Sequence, residues 1–221
     1  MKKFLGILFC GGKGTRLGEI TKYISKTFIA IYDRPVFRYG LDMLEKSKYI
    51  DDIIVLTNNE NNEKFKCLNY RTIIQDDNVV FDMFSGWEYI KKVTGTHMHG
   101  VLMPGDNISN INIDVLIELF RQKQVDLVFS LFKVPDLQKL SQMGCYQPGE
   151  KKFYYKHPDS PSPFGVVAPY IVRNSLNTES GETILNHPNS AYFEHNGYWF
   201  DIGDYDSIIE AAIFLRRIQH V

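Results

Sequence analysis

Apolar positions along this chain fall into short blocks whose period switches between that of a strand and that of a helix. Residues 4–9 form a continuous apolar run stopped by Gly11-Gly12, the pattern of a strand covered on both faces. Pro35 suits the first turn of a helix, and Val36, Phe37, Leu41 and Leu44 place an apolar face on residues 36–48. Residues 52–57 and 70–75 read as a second and a third strand. Val79, Val80, Met83, Phe84, Trp87, Ile90 and Val93 make one helical stripe of core positions. A fourth strand at 100–103 runs into Pro104-Gly105-Asp106-Asn107, followed by a helix at 112–122 and a fifth strand at 127–134. Strand and helix alternating at this rhythm predict an α/β fold with a doubly wound, mostly parallel sheet.

After Pro135 the rhythm breaks. Short strand-like pieces at 153–155, 165–172, 191–194 and 198–202 are separated by Pro, Ser and Asn, and an amphipathic helix is expected over 207–218. The expected organisation is a single domain over 1–221, in which 136–221 forms a smaller strand-rich lobe continuous with the sheet of 1–135.

Composition narrows the function. With 221 residues, 44% hydrophobic and 23% charged, the chain can form a core without disulfide or metal staples. Lys plus Arg number 25 against 26 Asp plus Glu, so the basic footprint of a phosphate-backbone binder is missing and nucleic acid is excluded as a partner. Cys10, Cys67 and Cys145 form neither a disulfide framework nor a paired metal motif. No apolar run approaches the ~18 residues of a membrane span. Met1-Lys2-Lys3 before the apolar run imitates a short leader. Bulky Phe9 stands where a small residue should precede cleavage, however, so a buried first strand and a cytoplasmic protein are expected.

The first strand empties into Gly11-Gly12-Lys13-Gly14-Thr15-Arg16-Leu17. In a doubly wound sheet the ligand crevice lies beyond the carboxyl ends of the strands, where glycines let backbone N–H groups close on phosphates. The spacing fits neither the dinucleotide fingerprint GxGxxG nor the P-loop GxxxxGK[ST]. It does deliver an arginine into the phosphate site. Together with Ile20-Thr21-Lys22, Ser25-Lys26 and Ile31-Tyr32-Asp33-Arg34-Pro35, this loop resembles the opening of the sugar-1-phosphate nucleotidyltransferases, most of all the compact glucose-1-phosphate thymidylyltransferases. Met103-Pro104-Gly105-Asp106-Asn107 and Gly197-Tyr198-Trp199-Phe200-Asp201-Ile202-Gly203 match two later motifs of that family in the same order. The resemblance implies a Rossmann-like fold, a nucleotide-binding half over 1–135 and an acceptor-binding half over 136–221. It also implies Mg2+ as cofactor, and a nucleoside triphosphate and a small phosphorylated metabolite as substrates.

Such a transfer joins an acceptor phosphate oxygen to the α-phosphorus and expels pyrophosphate. The nucleophile is already anionic, so no general base is needed; positioning and charge stabilisation are. Arg16, always charged and planar, suits the departing pyrophosphate. By the resemblance, Lys26 lies between the α-phosphate and the acceptor phosphate. Leu8, Gly11, Gly12, Gly14, Thr15, Gln75 and Asp106 would bind the nucleotide. Asp106 and Asp201, hard carboxylates from strand ends far apart in sequence, would hold the magnesium. Asp204 and Asp206 read as helix caps, and His97 and His99 as strand-edge residues without a third metal ligand.

The chain departs from the family where the acceptor binds. Gln75 is followed by Asp76-Asp77-Asn78-Val79 rather than by a Gly-Leu pair. The family's Glu-Lys-Pro becomes Lys156-His157-Pro158, and its Thr-Gly becomes Val167-Ala168. Gly144 matches a glycine that approaches the sugar, so Gly144, Lys156 and His157 form the expected acceptor site. Lysine in place of a carboxylate predicts an acceptor with extra negative charge. Two other readings stand beside the sugar-phosphate enzyme: a cytidylyltransferase acting on a non-hexose phosphate, and a nucleotide-binding regulator without turnover. Many relatives continue past the last helix into segments that build a tetramer. This chain stops at Val221, near where compact guanylyl-, cytidylyl- and uridylyltransferases of the same superfamily stop; a homodimer is the expected assembly.

Overall fold

A computed structural model describes residues 3–219. The expectations resting on Met1, Lys2 and Val221 lie outside the described residues.

β1 (Phe4–Cys10) leads through the glycine loop into two short 3-10 turns and a small hairpin, β2 (Ala30–Ile31) and β3 (Arg34–Pro35). There follow α1 (Val36–Lys46), β4 (Ile50–Thr57), α2 (Asn59–Cys67), β5 (Arg71–Ile74), α3 (Met83–Thr94), β6 (His99–Pro104), β7 (Asn107–Ser109), α4 (Ile113–Lys123) and β8 (Leu127–Lys133). The second half runs α5 (Leu137–Ser141), β9 (Gly144–Gln147), β10 (Lys152–Tyr155), β11 (Phe164–Val172), a 3-10 turn at Gly181–Asn186, β12 (Ser190–His195), β13 (Trp199–Asp201) and α6 (Tyr205–Gln219). Among the described residues one sheet of nine strands carries the order β10-β9-β11-β6-β1-β4-β5, with β8 beside β11 and β12 beside β8. β6, β1, β4 and β5 run parallel, and β11 pairs antiparallel with both β6 and β8. The sheet therefore does not stop at Pro135: β11 inserts between first-half strands.

Successive β1 side chains feed opposite layers. Phe4 and Leu8 pack with α1 and α4, Leu5 and Ile7 with α3. A third cluster, centred on Leu17, Ile31, Ile108, Ile202 and Leu215, clamps the glycine-loop turn, β7, the segment after β13 and α6 into one unit.

The stripe expected from residue 79 begins four residues later. The Asp82 carboxylate accepts from the Ser85 backbone N–H while Ser85 Oγ accepts from the Asp82 N–H, a reciprocal cap that fixes the helix start. Val79 and Val93 are 47% and 53% exposed and so are not core. Phe84, Trp87 and Ile90 are fully buried.

α3 lies close to β1 because Gly86 has no side chain: a Cβ there would stand 2.5 Å from the Phe9 ring and 3.2 Å from Leu56. Gly86→Ala should cost about 1–3 kcal/mol through overpacking, less up to ~1 kcal/mol gained in helix propensity. A melting temperature a few degrees lower is expected, at ~2–4 °C per kcal/mol for this size. Gly12→Ala, with nothing within 4 Å of the new methyl, should melt with the parent.

Candidate active site

A cleft of about 600 Å³ opens where β1 and β6 end, lined from both halves of the chain. β1 and β6 are adjacent and parallel, with Phe9 opposite Pro104. The glycine loop and Gly105-Asp106-Asn107 therefore leave the sheet side by side. The Gln75 amide rests over the loop backbone, where a Cβ on Gly11 would lie 1.9 Å from Gln75 Oε1 and displace it. Gln75 Nε2 donates to Asp77 at 2.7 Å, and Asp77 in turn pairs with Lys13 at 3.3 Å. Gly14 adopts φ +64°, and a Cβ there would press on Lys26 Cβ at 2.9 Å. That empty space lets the Lys26 stem pass beneath the loop.

Lys26, only 8% exposed, donates from Nζ to Asp106 Oδ2 at 2.7 Å. Asn107 Nδ2 donates to both Asp106 Oδ1 (3.2 Å) and Asp201 Oδ1 (3.1 Å), and Trp199 Nε1 donates to Asn107 Oδ1 at 3.1 Å. One amide, oriented by one indole, thus bridges the two carboxylates. Arg16 reaches Asp201 Oδ2 at 3.5 Å across the mouth. Its guanidinium lies over Gly203, where a Cβ would intrude to 2.6 Å. This pair is half open to solvent and contributes little to stability, which leaves Arg16 available to a ligand.

Burial and the negative charge of Asp106 push the Asp201 carboxyl up, against the opposing pull of Lys26 and Arg16. Two hard carboxylates that repel each other across a fixed amide fit a divalent cation that takes its remaining ligands from phosphate and water. The Cys10 thiol lies beneath this group, raised well above its ordinary value by burial and by Asp106. It is a packing residue, not a nucleophile.

The nucleotidyl transferase family model matches residues 5–156. The chain belongs to this family. The glucose-1-phosphate thymidylyltransferase of Neisseria meningitidis is 25% identical over 98% of this chain and 84% of its own length. A Bacillus anthracis protein solved in complex with a sucrose superposes at TM-score 0.79, 21% identity and coverage of 96% and 95% of the two chains. The UDP-glucose pyrophosphorylase of Acinetobacter baumannii does so at TM-score 0.75, 18% identity and coverage of 97% and 93%; these two likenesses show the fold.

Of the residues singled out in sequence, the nucleotidyltransferase cleft is lined by Gly11, Gly12, Arg16, Lys26, Gln75, Asp106, Gly144, Lys156 and Asp201. Leu8, Gly14, Thr15 and His157 are not among the residues that line it. The Leu8 side chain is fully buried in the core. Thr15 opens the 3-10 turn and is exposed. His157 packs edge-on against Tyr154 and accepts from the Asp159 N–H, outside the cleft lining. Gly144 lines the cleft, but its lack of a side chain is also demanded by the Phe153 ring, 2.2 Å from a would-be Cβ. His99 is buried and accepts from the Asn174 N–H; among the described residues no group of three His, Cys, Asp or Glu could hold a metal. Asp204 caps α6 through Ser207.

Sequence reasoning quoted Asn107 and Trp199 inside motifs without giving them a task. Asp82, Tyr170 and Glu182 line the same cleft and stand in no motif. Glu182 sits in the irregular 3-10 turn at Gly181–Asn186, where no periodicity marks it.

Asn107→Ala should leave the melting temperature close to the parent, yet lower turnover by about 10–100-fold, the usual loss when a partner that orients charged ligands is removed. Pyrophosphate release and a thermal melt separate the two effects. A second expectation concerns Glu182, whose carboxyl is raised by burial and by Asp82 against the pull of Lys156. A raised native value means that this group's stabilising contribution is full below its ordinary value of 4.5 and is lost as pH rises through the raised one. Glu182→Gln should therefore melt higher than the parent at pH 7 and equal to it near pH 4. Melts across that range check the sign.

Proposed function

We propose that this enzyme transfers a nucleotidyl group from a nucleoside triphosphate to a sugar 1-phosphate or similar small phosphate, releasing pyrophosphate, with Mg2+ bound. The observation that carries the reading is the convergence of Lys26, Asp106, Asn107 and Asp201, with Arg16 at the mouth, in one cleft. The names of the relatives, a thymidylyltransferase and a UDP-glucose pyrophosphorylase, support the same chemistry.

The acceptor phosphate needs no deprotonation; the chain's task is to bring two anions together. Lys26, buried and fixed by Asp106, places a positive charge where the α-phosphate and the acceptor phosphate meet, and its low exposure strengthens that charge relative to water. Arg16, free to leave a weak surface pair, follows the pyrophosphate as its charge grows. Glycines at 11 and 12 admit the triphosphate against backbone N–H groups, and Gln75 faces the base from above the loop. Asp106 and Asp201 would hold the magnesium, which when bound neutralises phosphate charge. Residues 1–135 thus handle the nucleotide and 136–221 the acceptor.

Pyrophosphate release with each nucleoside triphosphate, magnesium and a panel of phosphates tests the reading; a chain that binds triphosphate but never releases pyrophosphate would be a regulator instead. Arg16→Ala should keep the fold and lose ~10²–10³ in turnover, the size of one preorganised charge at the reacting group. Asp106→Asn and Asp201→Asn should abolish magnesium-dependent turnover. Full activity of either at low magnesium would remove that residue from the metal site.

A further inference from the structure

The charged groups lining the cleft fall into two sets. Arg16, Lys26, Asp106 and Asp201 act on one another, two cations against two carboxylates. Glu182, Asp82 and Lys156 form the second set. There two carboxylates face a single ammonium. Asp82 Oδ1 is held by the α3 cap, and Lys156 is drawn over the Tyr155 ring at 4.9 Å from its centroid. Among the described residues nothing donates a hydrogen bond to Glu182 and no cation pairs with it; Lys156 acts on it only through space. Its neighbour Gly181, at φ +61°, leaves room for Asp82 Oδ2, which would lie 2.5 Å from a Cβ there. The backbone thus brings the second carboxylate close instead of separating the two.

We propose that Glu182 determines acceptor specificity by pairing with a protonated amine, so that the acceptor is an ammonium-bearing phosphate such as an amino sugar 1-phosphate. The inference rests on the nucleotidyl-transfer reading of the cleft. Lys156 alone predicted an anionic acceptor; the folded chain places two carboxylates beside that lysine, and the sign reverses. A ligand cation supplies what this corner lacks: it satisfies an unpaired carboxylate and screens it from its neighbour. Opposite charge in a partly dry cleft is worth more than in water, and a close charge pair across an interface contributes measurably to affinity. Val167, Ala168 and Tyr170 line the same cleft, Tyr170 within the influence of Glu182 and Asp82, and none of them offers an amine a competing cation. A neutral hydroxyl would leave the carboxylate pair uncompensated.

The test is acceptor choice at pH 7, read two ways. In turnover, glucosamine 1-phosphate, N-acetylglucosamine 1-phosphate, glucose 1-phosphate, glucose 1,6-bisphosphate and O-phosphoethanolamine compete with one triphosphate. In binding, the same compounds are titrated calorimetrically into the parent and into Glu182→Gln. The expected result is an amine preferred about tenfold over its hydroxyl or acetylated counterpart in kcat/KM and in Kd. That ratio should collapse to within about twofold in Glu182→Gln, with triphosphate affinity unchanged. The ethanolamine arm decides whether the amine is carried by a sugar or by a short alcohol. Equal or weaker binding of the amines, a preference for the bisphosphate, or a ratio untouched by Glu182→Gln would overturn the assignment. Absence of pyrophosphate release from every mixture would count against the transfer reading alone, because the titrations still rank amine against hydroxyl.

Discussion

Lys26 Nζ stands 2.7 Å from Asp106 Oδ2, and the catalytic floor is arranged around that contact. Both groups are largely withdrawn from water, and removing one partner of a buried pair costs about 3–5 kcal/mol because the other charge is left uncompensated. The two residues therefore have to arrive together. They do so because β1 and β6 are parallel neighbours in the sheet, and because Gly14 takes a left-handed turn that clears the lysine stem. The pair then extends outward. Asn107 follows Asp106 and is directly opposite Asp201 in the β7–β13 ladder, so backbone register sets the carboxylates face to face across the amide. The indole of Trp199, on the same strand as Asp201, orients that amide.

This register explains why the floor can hold charges that dislike one another. Burial first, and then the charge of Asp106, raise Asp201 and the thiol of Cys10 below it. The compensation comes from Lys26 inside and Arg16 outside. The inner cation is locked; the outer one is in a solvent-open pair of little energetic value. Such an asymmetry suits a reaction whose negative charge moves from the α-phosphate to a departing pyrophosphate, since the mobile cation can follow the mobile charge.

How much of this was legible in the sequence depended on where each residue sat relative to the sheet. Strands and helices with a clear period were placed to within a few residues, and the four central charges stood in recognisable motifs: Arg16 and Lys26 near the starts of 3-10 turns, Asp106 in the loop after β6 and Asp201 at the end of β13. The α3 boundary was misplaced because Val79 and Val80 continue the apolar pattern into a segment that the Asp82 cap excludes from the helix. The Leu8 side chain follows the alternation of β1 into the core, which leaves only its backbone to meet a ligand. Asn107 was visible as a letter and not as a bridge: nothing in sequence says that residue 107 faces residue 201. The acceptor corner was least legible. Lys156, Glu182 and Asp82 come from a strand-end residue, a 3-10 turn and a helix cap, and only the folded chain makes them neighbours.

That difference has a physical root. The floor is tied to ladder register, where a one-residue slip would send every side chain to the other face; its residues must keep fixed spacing. Glu182 sits on the segment joining β11 and β12, in a 3-10 turn that packs on α3 and β10. A carboxylate can enter there, as Glu182 does, and its cost stays local. It is an unpaired charge in a half-buried corner, with no bond to Lys26, Asp106 or Asp201. On the proposed reading, a cleft built this way would keep one chemistry at the floor while its wall selects the phosphate, because among the described residues no bond joins Glu182 to Lys26, Asp106 or Asp201.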